Sequence, residues 1–458
     1  MKKSAMFLFI ALGAAFAALA GGANPSAGGE TLVEKYQLPN GLTVVIRPSP
    51  SSPVVAVQAW VKAGSTTEPE ARAGMSHILE HMAFKGTKRR GPGEIAREVE
   101  GLGGEVNAYT SFDQTVYHIT ISGRYLENAL DILADTLGNS VFDSGELARE
   151  LEVILEEVRM NEDNPGRVAS KALFREAYAI HPYGRPVIGF ADTIRGTRRD
   201  DLVDYFRSHY VPGNMVLVIA GDVDPDAARP LVAKTFGQLS PRPVADGRVP
   251  AEPPQEETRV VLKEKDARRV YLEMGFHGPS MKDPDVYAWD LLPMILGSGE
   301  TSRLQHVVKD QKGLVDSVYT STYTPKDPGL LLVGGILSPD KARGALKEIL
   351  LETFRLAAAP PEGPELARAK TATETDFLYS LESQATLARH VGFYETTLND
   401  AAFEQVYLQK IRAVTADDVL AVAKKRLSPE NLSVSAVVPA GQGTLLTAEA
   451  IRKLAREA

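Results

Sequence analysis

Residues 194–222 read IRGTRRDDLVDYFRSHYVPGNMVLVIAGD, and residues 411–440 read IRAVTADDVLAVAKKRLSPENLSVSAVVPA. At a constant offset of 217, Asp200, Asp201, Pro212 and Asn214 fall on Asp417, Asp418, Pro429 and Asn431. Each stretch predicts an amphipathic helix, a proline turn and an apolar strand. A second match, at an offset of 215, sets VAVQAWVKAGS from Val55 against VYLEMGFHGPS from Val270. Matches at nearly one spacing are the mark of an internal duplication. The fold class that follows is α+β, with two homologous domains, each a mainly antiparallel sheet packed with helices. The halves are expected at 29–239 and 259–440, with a short tail over 441–458. Between them, residues 240–258, SPRPVADGRVPAEPPQEET, are rich in proline and charge and read as an exposed linker.

A chain of 458 residues with 44% hydrophobic content can bury large cores and should divide into more than one unit. Lys2 and Lys3 precede the apolar run AMFLFIALGAAFAALA, which is short for a membrane span, and Ala18-Leu19-Ala20 offers small residues for cleavage. Residues 1–20 are therefore expected to be an export signal, with the mature chain starting near Gly21, soluble and periplasmic. No later stretch is long enough to span a bilayer, and the absence of cysteine rules out disulfides. The formal charge of −8 gives no basis for a nucleic-acid partner.

GMSHILEHMAFKGT, residues 74–87, carries the chemistry. On a helix, His77 and His81 lie one turn apart on one side, so both imidazoles can reach a common ion. Met75, Ile78, Leu79 and Met82 form the apolar stripe that would seat this helix. Glu80 points further round, better placed toward a water at the ion than toward the ion itself. A zinc site needs a third protein ligand. The helix SGELARELEVILEEVRMNEDNP, from Ser144, offers one: Leu147, Leu151, Ile154 and Val158 make its buried stripe, and Glu150 and Glu157 fall at the edge of that stripe. Glu152 and Glu156 point away. A carboxylate near an apolar face is costly unless it is paired or bound to a cation, which singles out Glu150 and Glu157.

HILEHMAFKGT, a glutamate 76 positions after His81 (157 − 81), and GGEVNAYTSFDQTVYH together resemble the inverzincin zinc peptidases of the pitrilysin and insulinase type, closest to the mitochondrial processing peptidase β-subunit and its bacterial two-chain relatives. HPYGRPVIG from His181 and YVPGNMVLVIAGDVD from Tyr210 extend the likeness through most of the chain. The resemblance implies that His77, His81 and Glu157 bind one zinc per chain, that Glu80 is the general base, and that Glu150 is an outer carboxylate orienting a ligand. It also implies that Asn107, Ala108 and Tyr109 lie on an edge strand to which an extended peptide substrate adds its backbone. The molecule would form one half-shell of a clam-like endopeptidase.

Opposite His77, Glu80 and His81 the 215 offset gives Leu292, Ile295 and Leu296, so the second half cannot repeat the metal site. Where single-chain relatives carry an arginine and, seven residues on, a tyrosine that grip substrate, LGSGETSRLQHVVKDQKGLVDSVYTST aligns Lys309 and Asp316. Lysine lacks the guanidinium fork and aspartate repels a developing oxyanion; Arg303 and Tyr319 are near in sequence but at other positions. The resemblance thus implies a zinc-bearing subunit paired with a metal-less homologue, or else an active homodimer. A non-catalytic assembly subunit of a larger complex is the alternative from another class. His118, His181, His209, His277, His306 and His390 have no partner at ligand spacing and are expected to be structural.

Overall fold

The structure, a computed structural model, describes residues 33–245 and 247–458. The expected export signal lies outside these residues. Eleven strands form two sheets among the described residues. The first contains β1 (Glu34–Gln37), β2 (Thr43–Pro48), β3 (Val54–Val61), β4 (Glu105–Thr110), β5 (Thr115–Ser122) and β6 (Met215–Gly221), in the order β1-β2-β6-β3-β5-β4. The second contains β7 (Arg259–Lys265), β8 (Val270–His277), β9 (Ser317–Tyr323), β10 (Leu330–Leu337) and β11 (Leu432–Pro439), in the order β7-β11-β8-β10-β9.

The duplication predicted from the sequence is explicit in this topology. In each sheet one parallel pair, β2 with β6 or β7 with β11, is followed by three antiparallel pairings in the same sequence. Each sheet is therefore mixed, with β1 an addition to the first. The helix Arg199–His209 and its counterpart Ala416–Arg426 start 217 residues apart, as do β6 and β11.

In the first half the helices are α1 (Met75–Ala83), α2 (Glu94–Gly101), α3 (Leu126–Asn139), α4 (Ser144–Asp163), α5 (Pro165–Ala177), α6 (Ala191–Gly196), α7 (Arg199–His209) and α8 (Pro225–Lys234). One core lies between α1, α3, α4 and α7 and one face of the first sheet, with Ile78, Leu79, Leu133, Ile154 and Ile219 buried. The equivalent core of the second half holds Trp289, Leu296, Ile349 and Val434. Both sheets also have a second covered face, and there the halves exchange helices. α5 packs on β7, β11 and β8 of the second sheet, while the helix Gln384–Leu398 packs on β3 and β6 of the first. Leu387, Ala388 and Val391 of that crossover helix meet Val45, Ala56, Trp60, Val116, Val216 and Val218. Gly392 permits the approach, because a Cβ there would lie 2.1 Å from the Trp60 indole. Each large apolar side chain buried this way contributes about 1.5–3 kcal/mol.

The described residues of 240–258 form no helix or strand, but the stretch is pinned rather than loose. The Glu252 carboxylate accepts from the backbone N–H groups of Ala179, Ile180 and His181 at 2.8–3.0 Å. Burial tends to raise this carboxyl, yet those three donors hold it below the ordinary glutamate value. Residues 441–458 carry the helix Ala448–Glu457, whose Ile451, Leu454 and Ala455 enter the core of the second half.

Candidate metal centre

The nine-residue helix α1 is short for its task and is held from outside. Met75, Ile78, Leu79 and Met82, its expected stripe, are all buried. Its N-cap, Gly74, adopts φ 100° and offers no side chain. Glu68 supplies the missing acceptor: its carboxylate takes the N–H of Gly74 at 2.7 Å and of Ser76 at 2.6 Å. Burial raises the Glu68 carboxyl to about 7, against the lowering pull of these amides. The second helix, α4, starts at Ser144 with Asp143 as its cap, accepting from the N–H of Gly145 and Glu146. Of the expected stripe Leu147, Ile154 and Val158 are buried and Leu151 is half-buried, with Leu155 buried beside them; Glu152 and Glu156 are exposed, Glu157 is half-buried and Glu150 is buried.

Packing α1 against α4 brings His77, His81 and Glu157 together. One donor atom from each lies within 4.8 Å of the other two. Glu157 Oε2 is 3.7 Å from His77 Nε2 and 3.9 Å from His81 Nε2. Ligand atoms about 2.0–2.2 Å from one zinc ion can be at most about 4.4 Å apart, so both separations suit a shared ion. Burial, then the neighbouring His81, pushes His77 down to about 3, so this imidazole is neutral with a lone pair to offer. Its Nδ1 is buried without a partner. Two imidazoles and a carboxylate are a donor set that zinc accepts.

His81 and His77 are supported differently. His81 Nδ1 lies 3.1 Å from Glu150 Oε2, and Glu150 Oε1 lies 2.6 Å from Lys85 Nζ. Burial would raise the Glu150 carboxyl, but the bonds from His81 and Lys85 bring it below the ordinary value. Glu80 turns to the edge strand, where Thr110 Oγ1 donates to its Oε2 at 2.7 Å. Burial raises Glu80 above the usual glutamate range despite that bond.

Strand β4 is an edge strand, paired only with β5. Ser111 donates its N–H to Gln114 O at 2.8 Å, and alternation along the ladder then turns the N–H and C=O of Val106, Ala108 and Thr110 away from β5. The Ala108 N–H is meanwhile taken by Asn107 Oδ1 at 2.9 Å. Tyr109 projects from the face opposite Thr110, away from α1.

Sequence reasoning missed Glu68, Lys85 and Thr110. Lys85 is four residues after His81, a helical spacing that could have revealed it; Thr110 is two residues after Ala108 and so shares its face. Glu68 acts across a loop and leaves no periodic signal. In the second half, Leu292, Ile295 and Leu296 are fully buried core. Arg303 is bound to Glu365 by two bonds of 2.7 Å, Tyr319 donates to Glu273, and Asp316 pairs with Arg269 at 2.8 Å. Lys309 is exposed on the π-helical segment Leu304–Gln311. Other histidines make structural contacts, such as His277 Nε2 with Ala177 O at 2.9 Å and His209 stacked on Tyr205.

Comparison with known proteins gives the family and the fold. Residues 43–190 match the family model for "Insulinase (Peptidase family M16)" and residues 197–373 that for "Peptidase M16 inactive domain". A Bacillus subtilis protein described as the uncharacterized zinc protease YmxG is 30% identical over 90% of this chain and 99% of its own. A mitochondrial-processing peptidase subunit beta from Lentinula edodes is 31% identical, over 87% of this chain and 88% of its own. The crystal structure of a protease from Helicobacter pylori superposes with a TM-score of 0.86 at 29% identity, covering 89% of this chain and all of that one. With two helices presenting a zinc-type donor set on a duplicated α+β frame, the chain belongs to the insulinase family of peptidases, family M16.

Proposed function

We propose that this chain is a zinc endopeptidase in which His77, His81 and Glu157 hold one ion and Glu80 serves as general base. The observation that supports it is the convergence of those three donor atoms within 4.8 Å, with the Glu80 carboxylate one residue from His81 and tied to the edge strand. Zinc, when bound, supplies a Lewis acid that polarises a peptide carbonyl and acidifies water. Glu80, which burial raises above the usual glutamate range, is placed to accept a proton from the attacking water and to return it to the leaving amine. Thr110 fixes the carboxylate while it does so. Glu150 fixes the tautomer and ring orientation of His81. The substrate backbone pairs with the outward groups of Val106, Ala108 and Thr110, which read main chain more than side chain; Asn107 must release the Ala108 N–H for that pairing.

The same reading extends to a second chain. Arg303 and Tyr319 are already engaged by Glu365 and Glu273, so a metal-less homologue is proposed to supply an arginine and a tyrosine, the two half-shells closing on small or unfolded peptides. Quenched-peptide cleavage and elemental analysis test the proposal. Purified chain should contain zinc and lose activity with a chelator, and Glu157→Ala should lose the metal; normal zinc in Glu157→Ala overturns the ligand set. Full activity of the isolated monomeric chain overturns the need for a partner.

A further inference from the structure

Only one face of β4 looks toward α1. On the other, the Tyr109 ring meets Trp60 edge-on, with centroids 6.2 Å apart, and leans on His118 at 6.3 Å. Over that ring stands Arg389 of the crossover helix, its Cζ 5.4 Å from the centroid. Among the described residues no carboxylate pairs with Arg389, and its Nε is buried without a hydrogen-bond partner. Burial, and after it the charge of Arg389, lowers both His118 and His390 to about 4, so the nearest titratable rings are neutral at physiological pH. The guanidinium is a lone positive charge. Elsewhere between the halves such groups are matched, as Arg47 is by Glu404 at 2.5 Å. Arg389 is half-buried, and a guanidinium Nε cut off from water without an acceptor is costly. The cation–π contact with Tyr109 returns only part of that cost, about 0.5–2 kcal/mol.

A strand added to the free edge of β4 has a residue directly opposite Tyr109 whose side chain points to the same face, with Cβ atoms about 4.5–5.5 Å apart. We propose that Arg389 receives the side-chain carboxylate of that substrate residue, making the protein selective for peptides with an acidic residue, glutamate by reach, at a single position near the cleaved bond. The inference rests on the reading of β4 as the substrate strand. A planar guanidinium fork and a carboxylate are matched in shape as well as charge.

The test uses zinc-loaded protein in a Glu80→Gln background, so that binding is read without cleavage. Peptides acetylated at the N-terminus and amidated at the C-terminus, which excludes a terminal carboxylate as the source, carry Glu or Gln at one position scanned along an otherwise fixed sequence. Fluorescence anisotropy should show one position at which Glu binds at least about tenfold more tightly than Gln, as a charge-assisted bond provides. In Arg389→Gln that ratio should fall toward one, whatever the absolute affinity, while Arg389→Lys should keep part of it. A ratio near one at every position in the parent, or a ratio unchanged in Arg389→Gln, overturns the proposal. Ala108→Pro removes an edge N–H without touching the β5 ladder and should weaken both peptides alike; undiminished binding of both overturns the substrate-strand reading itself.

Discussion

Replacing Glu150 by glutamine changes one atom and should cost zinc affinity in a way the structure makes quantitative. One carboxylate oxygen faces His81 Nδ1 at 3.1 Å and the other faces the Lys85 ammonium at 2.6 Å. Both neighbours are donors, so the carboxylate satisfies both at once. A glutamine cannot. If its carbonyl faces His81, its NH2 meets the Lys85 ammonium; if it flips, its NH2 meets the His81 N–H. One charge-assisted bond is lost either way, worth about 1.5–3 kcal/mol. Passed on to a ligand imidazole, that loss corresponds to a zinc Kd raised about ten- to a hundredfold. Competition against a chromophoric chelator measures it. The geometry also predicts a rescue: with Lys85→Met added, the glutamine is free to turn its oxygen to His81, and the double variant should bind zinc more tightly than Glu150→Gln alone. Unchanged affinity in Glu150→Gln, or a double variant no better than the single one, refutes the account.

Glu80→Gln should keep its zinc, because the residue faces Thr110 rather than the donor set, while peptide cleavage falls by at least about 10²–10⁴-fold, as loss of a general base does; turnover retained in metal-loaded variant rules out the role. His118 and His390, each near 4 in the folded state and 6.5 when unfolded, contribute stability that is complete above pH 6.5 and lost as pH falls through 4, since the unfolded chain then binds more protons. Each pH unit between those values is worth about 1.4 kcal/mol per group, so denaturant melts between pH 4 and 7 should show a smaller loss on acidification in His118→Gln than in the parent.

The sequence carried the duplication because its offsets survive in helix and strand alike: α7 and Ala416–Arg426 keep both their spacing and their length. It carried the donor cluster because helical periodicity places His77, His81, Glu150 and Glu157 at the borders of apolar stripes. Periodicity could not rank the two glutamates, which are seven residues apart and share a face; the neighbours Lys85 and His81 distinguish them. The exchange of helices left almost no local trace. Trp60 and Gly392 are 332 positions apart (392 − 60), and nothing in either segment names the other. The Glu252 anchor was hidden likewise, since a glutamate in a proline-rich stretch reads as solvated until the three amides it holds are seen.

That exchange predicts that the second half cannot be dispensed with, although among the described residues its sheet carries no counterpart of the donor cluster. The back of the first sheet presents Val45, Ala56, Trp60, Val116, Val216 and Val218, and its cover in this chain is the helix Gln384–Leu398 from the far side of the linker. In return α5, which follows the glutamate helix α4 after Asn164, has its buried face against the second sheet. A chain cut at residue 258 would therefore bare an apolar sheet face and leave α5 without its seat, and large exposed apolar patches drive association. The expected result is an aggregating fragment that binds zinc weakly, because α5, which continues α4 after Asn164, has lost its seat and no longer fixes the last turn of α4 beyond Glu157 and Val158; size-exclusion chromatography and zinc titration of residues 21–258 read both. A monomeric fragment with the zinc affinity of the full chain would mean that α4 is positioned by the first half alone, and that the second sheet contributes nothing to the site it lacks.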